Sequence, residues 1–174
     1  MEERRRSDGG DMGYLALGRH FQIGYVTRDL EVGTAYLVDV LGARRLTRFD
    51  DVRALDGGPS SIQRLSHFLL GGAEAELIEP RSSWPGSIYR EAVDAADRPI
   101  ALHHVGYLFA TREDFRDAVE QARGRGVDIP SHADTADVGF AYLDTRSLVG
   151  HYTELVFRGP GVGPGGARAP RDPA

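Results

Sequence analysis

Apolar residues fall along the chain in two rhythms, and the same sequence of rhythms occurs twice. Residues 21–26, Phe-Gln-Ile-Gly-Tyr-Val, alternate as a strand does. Leu30, Thr34, Leu37 and Leu41 follow at helical spacing, with Gly42 as a stop and Thr27 or Asp29 as the N-cap. Residues 43–49, 62–70 and 73–79 then read as strands. The order recurs from residue 103: a strand His-His-Val-Gly-Tyr-Leu, then a helical stripe of Phe115, Ala118, Val119 and Ala122. Thr111 caps that helix, and Gly124 and Gly126 end it. Strands are predicted at 127–130, 138–144 and 151–157.

The repetition extends to individual residues. Gly24-Tyr25 and Gly106-Tyr107 align at an offset of 82, and the closing strands, Ala75-Glu76-Leu77-Ile78 and Thr153-Glu154-Leu155-Val156, align at 78. These offsets predict an α+β fold of two β-α-β-β-β modules, residues 20–80 and 102–157, whose half-sheets curve around a shared cleft. Residues 81–101, with Trp84-Pro85 and a short helical pattern at Ile88, Ala92, Val93 and Ala96, form the linker of a single domain spanning 14–157. Residues 1–13 are polar and Gly-rich, and 158–174 are rich in Gly and Pro; both read as disordered tails. Gly161, Gly163 and Gly166 have the spacing of a dinucleotide fingerprint, but Pro160, Pro164 and Pro170 prevent the helix that would receive a pyrophosphate.

Composition narrows the chemistry. All 21 basic residues are Arg, and Lys, Cys and Asn are absent. Schiff-base chemistry, thiol nucleophiles, disulfides and thiolate-bound zinc are therefore excluded. The formal charge of −5 disfavours nucleic acid, and Arg4-Arg5-Arg6 beside Glu2 and Glu3 reads as a solvated tail. No stretch approaches the roughly 20 apolar residues of a membrane span, and Met1 to Gly13 has no apolar core of a secretory signal. The expectation is a cytoplasmic protein with no membrane partner.

The repeat singles out four polar residues. Gln22 and His104 are equivalents, each two residues before a Gly on the same strand face's next position, and Glu76 and Glu154 are equivalents on the closing strands. If the modules face each other, all four converge, and Gly24 and Gly106 leave room beside them for a ligand or metal. Gln, Glu, His and Glu offer three oxygen donors and one imidazole, which suits a divalent ion: zinc, nickel, cobalt, manganese or iron(II). Two carboxylates would balance the cation. His103 falls on the face opposite His104 and reads as structural; His67 and His132 have no counterpart in the repeat. Glu79 is on the wrong face, and Glu74 is at the wrong repeat position.

With Gln22-Ile-Gly-Tyr-Val-Thr-Arg-Asp-Leu, Glu76-Leu-Ile-Glu-Pro, His104-Val-Gly-Tyr and Gly150-His-Tyr-Thr-Glu154-Leu, the chain resembles the vicinal oxygen chelate superfamily over residues 20–157. Its members include glyoxalase I, methylmalonyl-CoA epimerase, extradiol dioxygenases and antibiotic-binding resistance proteins. The resemblance implies that Gln22, Glu76, His104 and Glu154 are metal ligands, in an order similar to eukaryotic-type glyoxalase I. It implies a metal-dependent isomerase, epimerase or lyase acting on a small α-oxygenated carbonyl compound or thioester through a metal-stabilised enediolate. Glu154 would be the base, with Glu76 second. Tyr152 shares the face of Glu154 and Arg146 lies in the preceding loop, so both are candidates for substrate binding. The alternatives are a metal-free small-molecule binding or resistance protein and an extradiol-type dioxygenase, the latter needing another His ligand such as His151. An isologous homodimer fits the same family.

Overall fold

A computed structural model describes residues 15–163. The tail predicted for 1–13, and the part of the tail predicted for 158–174 that follows residue 163, lie outside the described residues; Arg158 is the last residue of the final strand. The elements run β1 (Arg19–Thr27), α1 (Leu30–Ala35), β2 (Arg44–Phe49), β3 (Ile62–Leu70), β4 (Ala73–Pro80), α2 (Ile88–Ala95), β5 (Ile100–Phe109), α3 (Arg112–Gly124), β6 (Ser131–Asp134), β7 (Val138–Leu143), α4 (Arg146–Val149) and β8 (Tyr152–Arg158). All strands join one sheet in the order β2-β3-β4-β1-β5-β8-β7-β6. The order is two copies of one pattern, joined where β1 and β5 run antiparallel. In each copy the first strand pairs parallel with the last. The sheet is curved and unclosed, and the fold is the predicted α+β arrangement of two β-α-β-β-β modules.

Alternation on the strands separates the inside of the curve from the outside. Ala75 and Leu77 of β4 join Leu30, Leu37 and Phe68 in one outer core. Leu155 of β8 joins Phe115, Ala118, Val119 and Ala122 of α3 in the other. The residues between them in sequence, Glu76, Ile78, Tyr152 and Glu154, therefore face inward. There α2, supplied by the linker, packs Ile88, Tyr89 and Val93 against Val26, Ile78, Tyr142 and Tyr152.

The helix caps follow the sequence. Asp29 accepts from the backbone N–H of Glu31 and Val32, and Thr111 accepts from that of Asp114. Thr27 instead bonds the Pro99 carbonyl at 2.9 Å and ties the linker to β1. Two local expectations fail. The first helix widens into a π turn over Tyr36–Val40, which rotates Leu41 out of the apolar stripe and leaves it 54% exposed. The strand expected at 127–130 begins only at Ser131, because Pro130 has no N–H for the ladder. Val127 and Ile129 still pack on the second outer core.

Glu79, on the outer face, has a structural task. It accepts from the Leu30 N–H at 2.7 Å and from Arg64 Nε at 3.1 Å, and its side chain is 11% exposed. Glu79→Ala strands both donors, so thermal melts should show a loss of about 2 kcal/mol, a fall of roughly 4–8 °C in Tm, with metal uptake unchanged. A variant that melts like the parent would contradict this reading.

Candidate functional site

The pairing of β1 with β5 brings the two modules' polar residues together. Gln22 lies opposite Gly106, and Gly24 lies opposite His104. Each glycine thus faces the other module's polar side chain. A Cβ on Gly24 would stand 1.8 Å from Cε1 of His104. A Cβ on Gly106 would stand 3.1 Å from Glu154 Oε2 and 3.2 Å from the Gln22 Cβ. The space beside Gly24 is therefore filled by the imidazole of His104 itself, not reserved for a ligand.

Gln22, Glu76, His104 and Glu154 converge. Gln22 Nε2 is 3.3 Å from His104 Nε2. His104 Nε2 is 3.4 Å from Glu76 Oε2 and 3.4 Å from Glu154 Oε2. All four residues are buried. Gln22, Glu76 and Glu154 line a cleft of about 780 Å³ with Tyr142, Arg146 and Tyr152, and His104 packs behind them. Arg146 stacks over the Tyr152 ring at 4.6 Å and is held by Asp144 at 2.6 and 2.9 Å.

Burial sets the protonation states. Burial, then repulsion by Glu76, pushes the Glu154 carboxyl up to about 8, partly offset by the Tyr142 hydroxyl and Arg158. Burial also works against ionised Glu76, but His67, His104 and Arg158 outweigh it and hold Glu76 below its ordinary value. Burial lowers His104 to about 4, so its imidazole is neutral at neutral pH. The site is therefore asymmetric: one carboxylate is ionised and the other carries a proton.

A divalent ion suits this donor set. Ligand atoms around a four-coordinate ion with bonds of about 2.1 Å stand roughly 3.4 Å apart, the separation His104 Nε2 keeps from each carboxylate. Glu154 Oε2 is fully buried and has no hydrogen-bond partner among the described residues, as expected of an atom that would face a cation. The match is pairwise only: among the described residues no group of three or more His, Cys, Asp or Glu is placed so that it could hold a metal ion. Gln22 also turns its Oε1 toward Arg158 at 3.4 Å, so ligation through Oε1 requires the amide to turn and give up that long contact.

Two histidines join the site by routes the alternation pattern does not carry. In β5, Gly24 pairs with His104 and Tyr25 with Leu102, so His103 is the extra residue of a β-bulge. It turns to the same side as His104. Its Nδ1 is 2.9 Å from Nδ1 of His104, and its ring packs 4.8 Å from Tyr89 and 5.0 Å from Tyr152. Phe21, the residue equivalent to His103 at the repeat offset, is likewise skipped in the pairing of β1. His67 reaches the site from β3, where it lies directly opposite Glu76. His151 instead contacts the Tyr152 carbonyl at 2.8 Å, so the second imidazole next to the carboxylates is His67. Glu74 faces Arg158 at 3.4 Å. Among the described residues no helix is long and apolar enough to cross a membrane.

This architecture has known counterparts. The chain is similar in structure to methylmalonyl-CoA epimerase from Mycobacterium tuberculosis, with a TM-score of 0.60 and 17% identity over 83% of this chain and 90% of that one. A methylmalonyl-CoA epimerase in complex with methylmalonyl-CoA and an ammonium ion gives 0.59 and 19%, over 83% and 97%. A variant of the Streptomyces coelicolor epimerase in complex with 2-nitronate-propionyl-CoA gives 0.59 and 20%, over 83% and 97%. At these identities the likeness establishes the shared fold. No curated protein matches the chain. The sequence profile of the Glyoxalase/Bleomycin resistance protein/Dioxygenase superfamily matches residues 21–142, and the chain belongs to that superfamily, the vicinal oxygen chelate fold.

Proposed function

We propose that this chain is a metal-dependent isomerase or epimerase that moves a proton at the carbon next to a carbonyl. The observation that carries the reading is the convergence of Gln22, Glu76 and Glu154, which line one cleft, on His104 at 3.3–3.4 Å contacts. Bound among them, a divalent ion supplies Lewis-acid stabilisation of the charge that builds on the substrate oxygens as the α-proton leaves. The chain's residues do the rest. Neutral His104 offers its Nε2 lone pair while its Nδ1 is occupied by His103. Glu76 stays ionised and fixed. Glu154, once deprotonated, takes the α-proton as the C–H bond breaks and returns it to the same or the adjacent carbon. Tyr142 and Tyr152 wall the reacting carbon from water.

The charges at the cleft favour a small substrate. Arg53 is paired with Asp51 at 2.9 Å and Arg146 with Asp144, while Asp56, Glu91 and Asp128 also line the cleft. Arg158, the third cation of the lining, faces Glu74 at 3.4 Å. Among the described residues each cation of the cleft thus has a carboxylate partner, so we assign a small α-oxygenated carbonyl compound in preference to a coenzyme A thioester.

Elemental analysis of untagged protein purified without chelators tests the metal. About one divalent ion per chain is expected, bound directly or after reconstitution with zinc, nickel, cobalt, manganese or iron(II). Calorimetry in buffers of different ionisation enthalpy should show a proton released on binding at neutral pH, since Glu154 is protonated beforehand. NMR in D2O should then detect deuterium entering the α-position of an α-hydroxy carbonyl compound. A chain that takes up none of the five ions sinks this reading and leaves small-molecule binding on the same scaffold.

A further inference from the structure

Each carboxylate of the site has a glycine across the ladder on one side and a residue with a side chain on the other. Tyr142 lies opposite Glu154, and His67 lies opposite Glu76. The two modules thus place different chemistry at the same topological position: a hydroxyl in one, an imidazole in the other. His67 is completely buried. Its Nε2 is 3.2 Å from Glu76 Oε1 but outside hydrogen-bond geometry, and that nitrogen has no hydrogen-bond partner among the described residues. Its Nδ1 is 3.0 Å from the Thr47 hydroxyl on β2. The other oxygen of Glu76 faces His104.

The protons can be arranged in one self-consistent way. The Thr47 hydroxyl donates to Nδ1 of His67, and the Nε2–H of His67 lies against Oε1 of Glu76 at 3.2 Å as an electrostatic contact. Glu76 is then clamped through one oxygen and presents the other to the cleft. Glu154 is met by the Tyr142 hydroxyl instead, and its Oε2 has no hydrogen-bond partner among the described residues.

We propose that His67 is a positioning residue: with Thr47 behind it, it fixes Glu76 as the stationary carboxylate of the site. The consequence for metal affinity rests on the function proposed above; the clamp itself does not.

Two measurements test it. In metal-free protein labelled with 15N at histidine, long-range 1H–15N correlations report the tautomer of His67, assigned by comparison with His67→Gln. The Nε2–H tautomer is expected, with Thr47→Val relaxing it; an Nδ1–H tautomer in the parent overturns the proposal. Cobalt(II) affinity, read by chelator competition, should fall about 10–100-fold in His67→Leu. It should be largely retained in His67→Gln, whose amide N–H can take the place of the imidazole donor. Melting temperatures of the metal-free variants separate positioning from stability. A His67→Leu variant that melts lower but binds cobalt as tightly as the parent shows a purely structural role and overturns the proposal. A parent chain that binds no cobalt rejects the metal reading instead, and the tautomer then decides the clamp.

Discussion

Glu154→Gln is expected to slow α-proton exchange by about 10²–10⁴-fold and to weaken metal binding, while the fold survives. The substitution keeps the side chain's shape and removes only the ability to ionise. At neutral pH the metal-free parent already carries a proton there, because burial and the neighbouring Glu76 push the carboxyl up to about 8. The variant should therefore already melt above the parent at pH 6.5, where ionisation of the carboxyl favours the parent's unfolded chain, and the gap should widen toward pH 8. In the unfolded chain this carboxyl titrates near 4.5, so between that value and about 8 the folded protein holds a proton that the unfolded chain has lost. The parent's stability must then fall as pH rises through that window. His104, lowered to about 4, acts in the opposite sense below its ordinary value of 6.5, which makes pH 6.5–8 the clean interval. Over it, metal-free Glu154→Gln should lack this part of the parent's decline. Deuterium exchange, chelator competition and melts at the two pH values read all three effects. Exchange at the parent rate with metal bound would place the proton-moving group elsewhere.

Gly24→Ala should be the most damaging small substitution at the site. The new Cβ would stand 1.8 Å from Cε1 and 2.2 Å from both ring nitrogens of His104. That ring is fully buried, with Tyr142 and His103 each 5.2 Å away between ring centroids, so it has nowhere to retreat. Overpacking of this kind costs about 3 kcal/mol, which lowers Tm by roughly 6–12 °C. Metal uptake should vanish with it, because His104 leaves the other donors. Gly106→Ala meets softer resistance: its nearest contact is the Phe21 ring edge at 2.9 Å, and its effect on stability should be smaller. A Gly24→Ala protein that melts with the parent and binds metal normally would refute the packing described for His104.

Much of this molecule is local, and what is local was legible. The alternation of Gln22-Ile-Gly-Tyr-Val, the stripe of Phe115, Ala118, Val119 and Ala122, and the Asp29 and Thr111 caps depend on neighbours a few residues away. The offsets of 82 and 78 then matched one module to the other, and with them came the four polar residues and the inward face they share. What the tertiary structure alone decided is register. His103 faces inward because β1 and β5 pair with a bulge, and a bulge is a property of two strands that neither sequence announces. His67 matters because β3 places it opposite Glu76 with Thr47 behind it, a relation among three strands. The difference between the two carboxylates has the same origin. Glu76 and Glu154 are equivalents in the chain, yet one is ionised and the other protonated, because desolvation and the charges nearby exist only once the chain has folded.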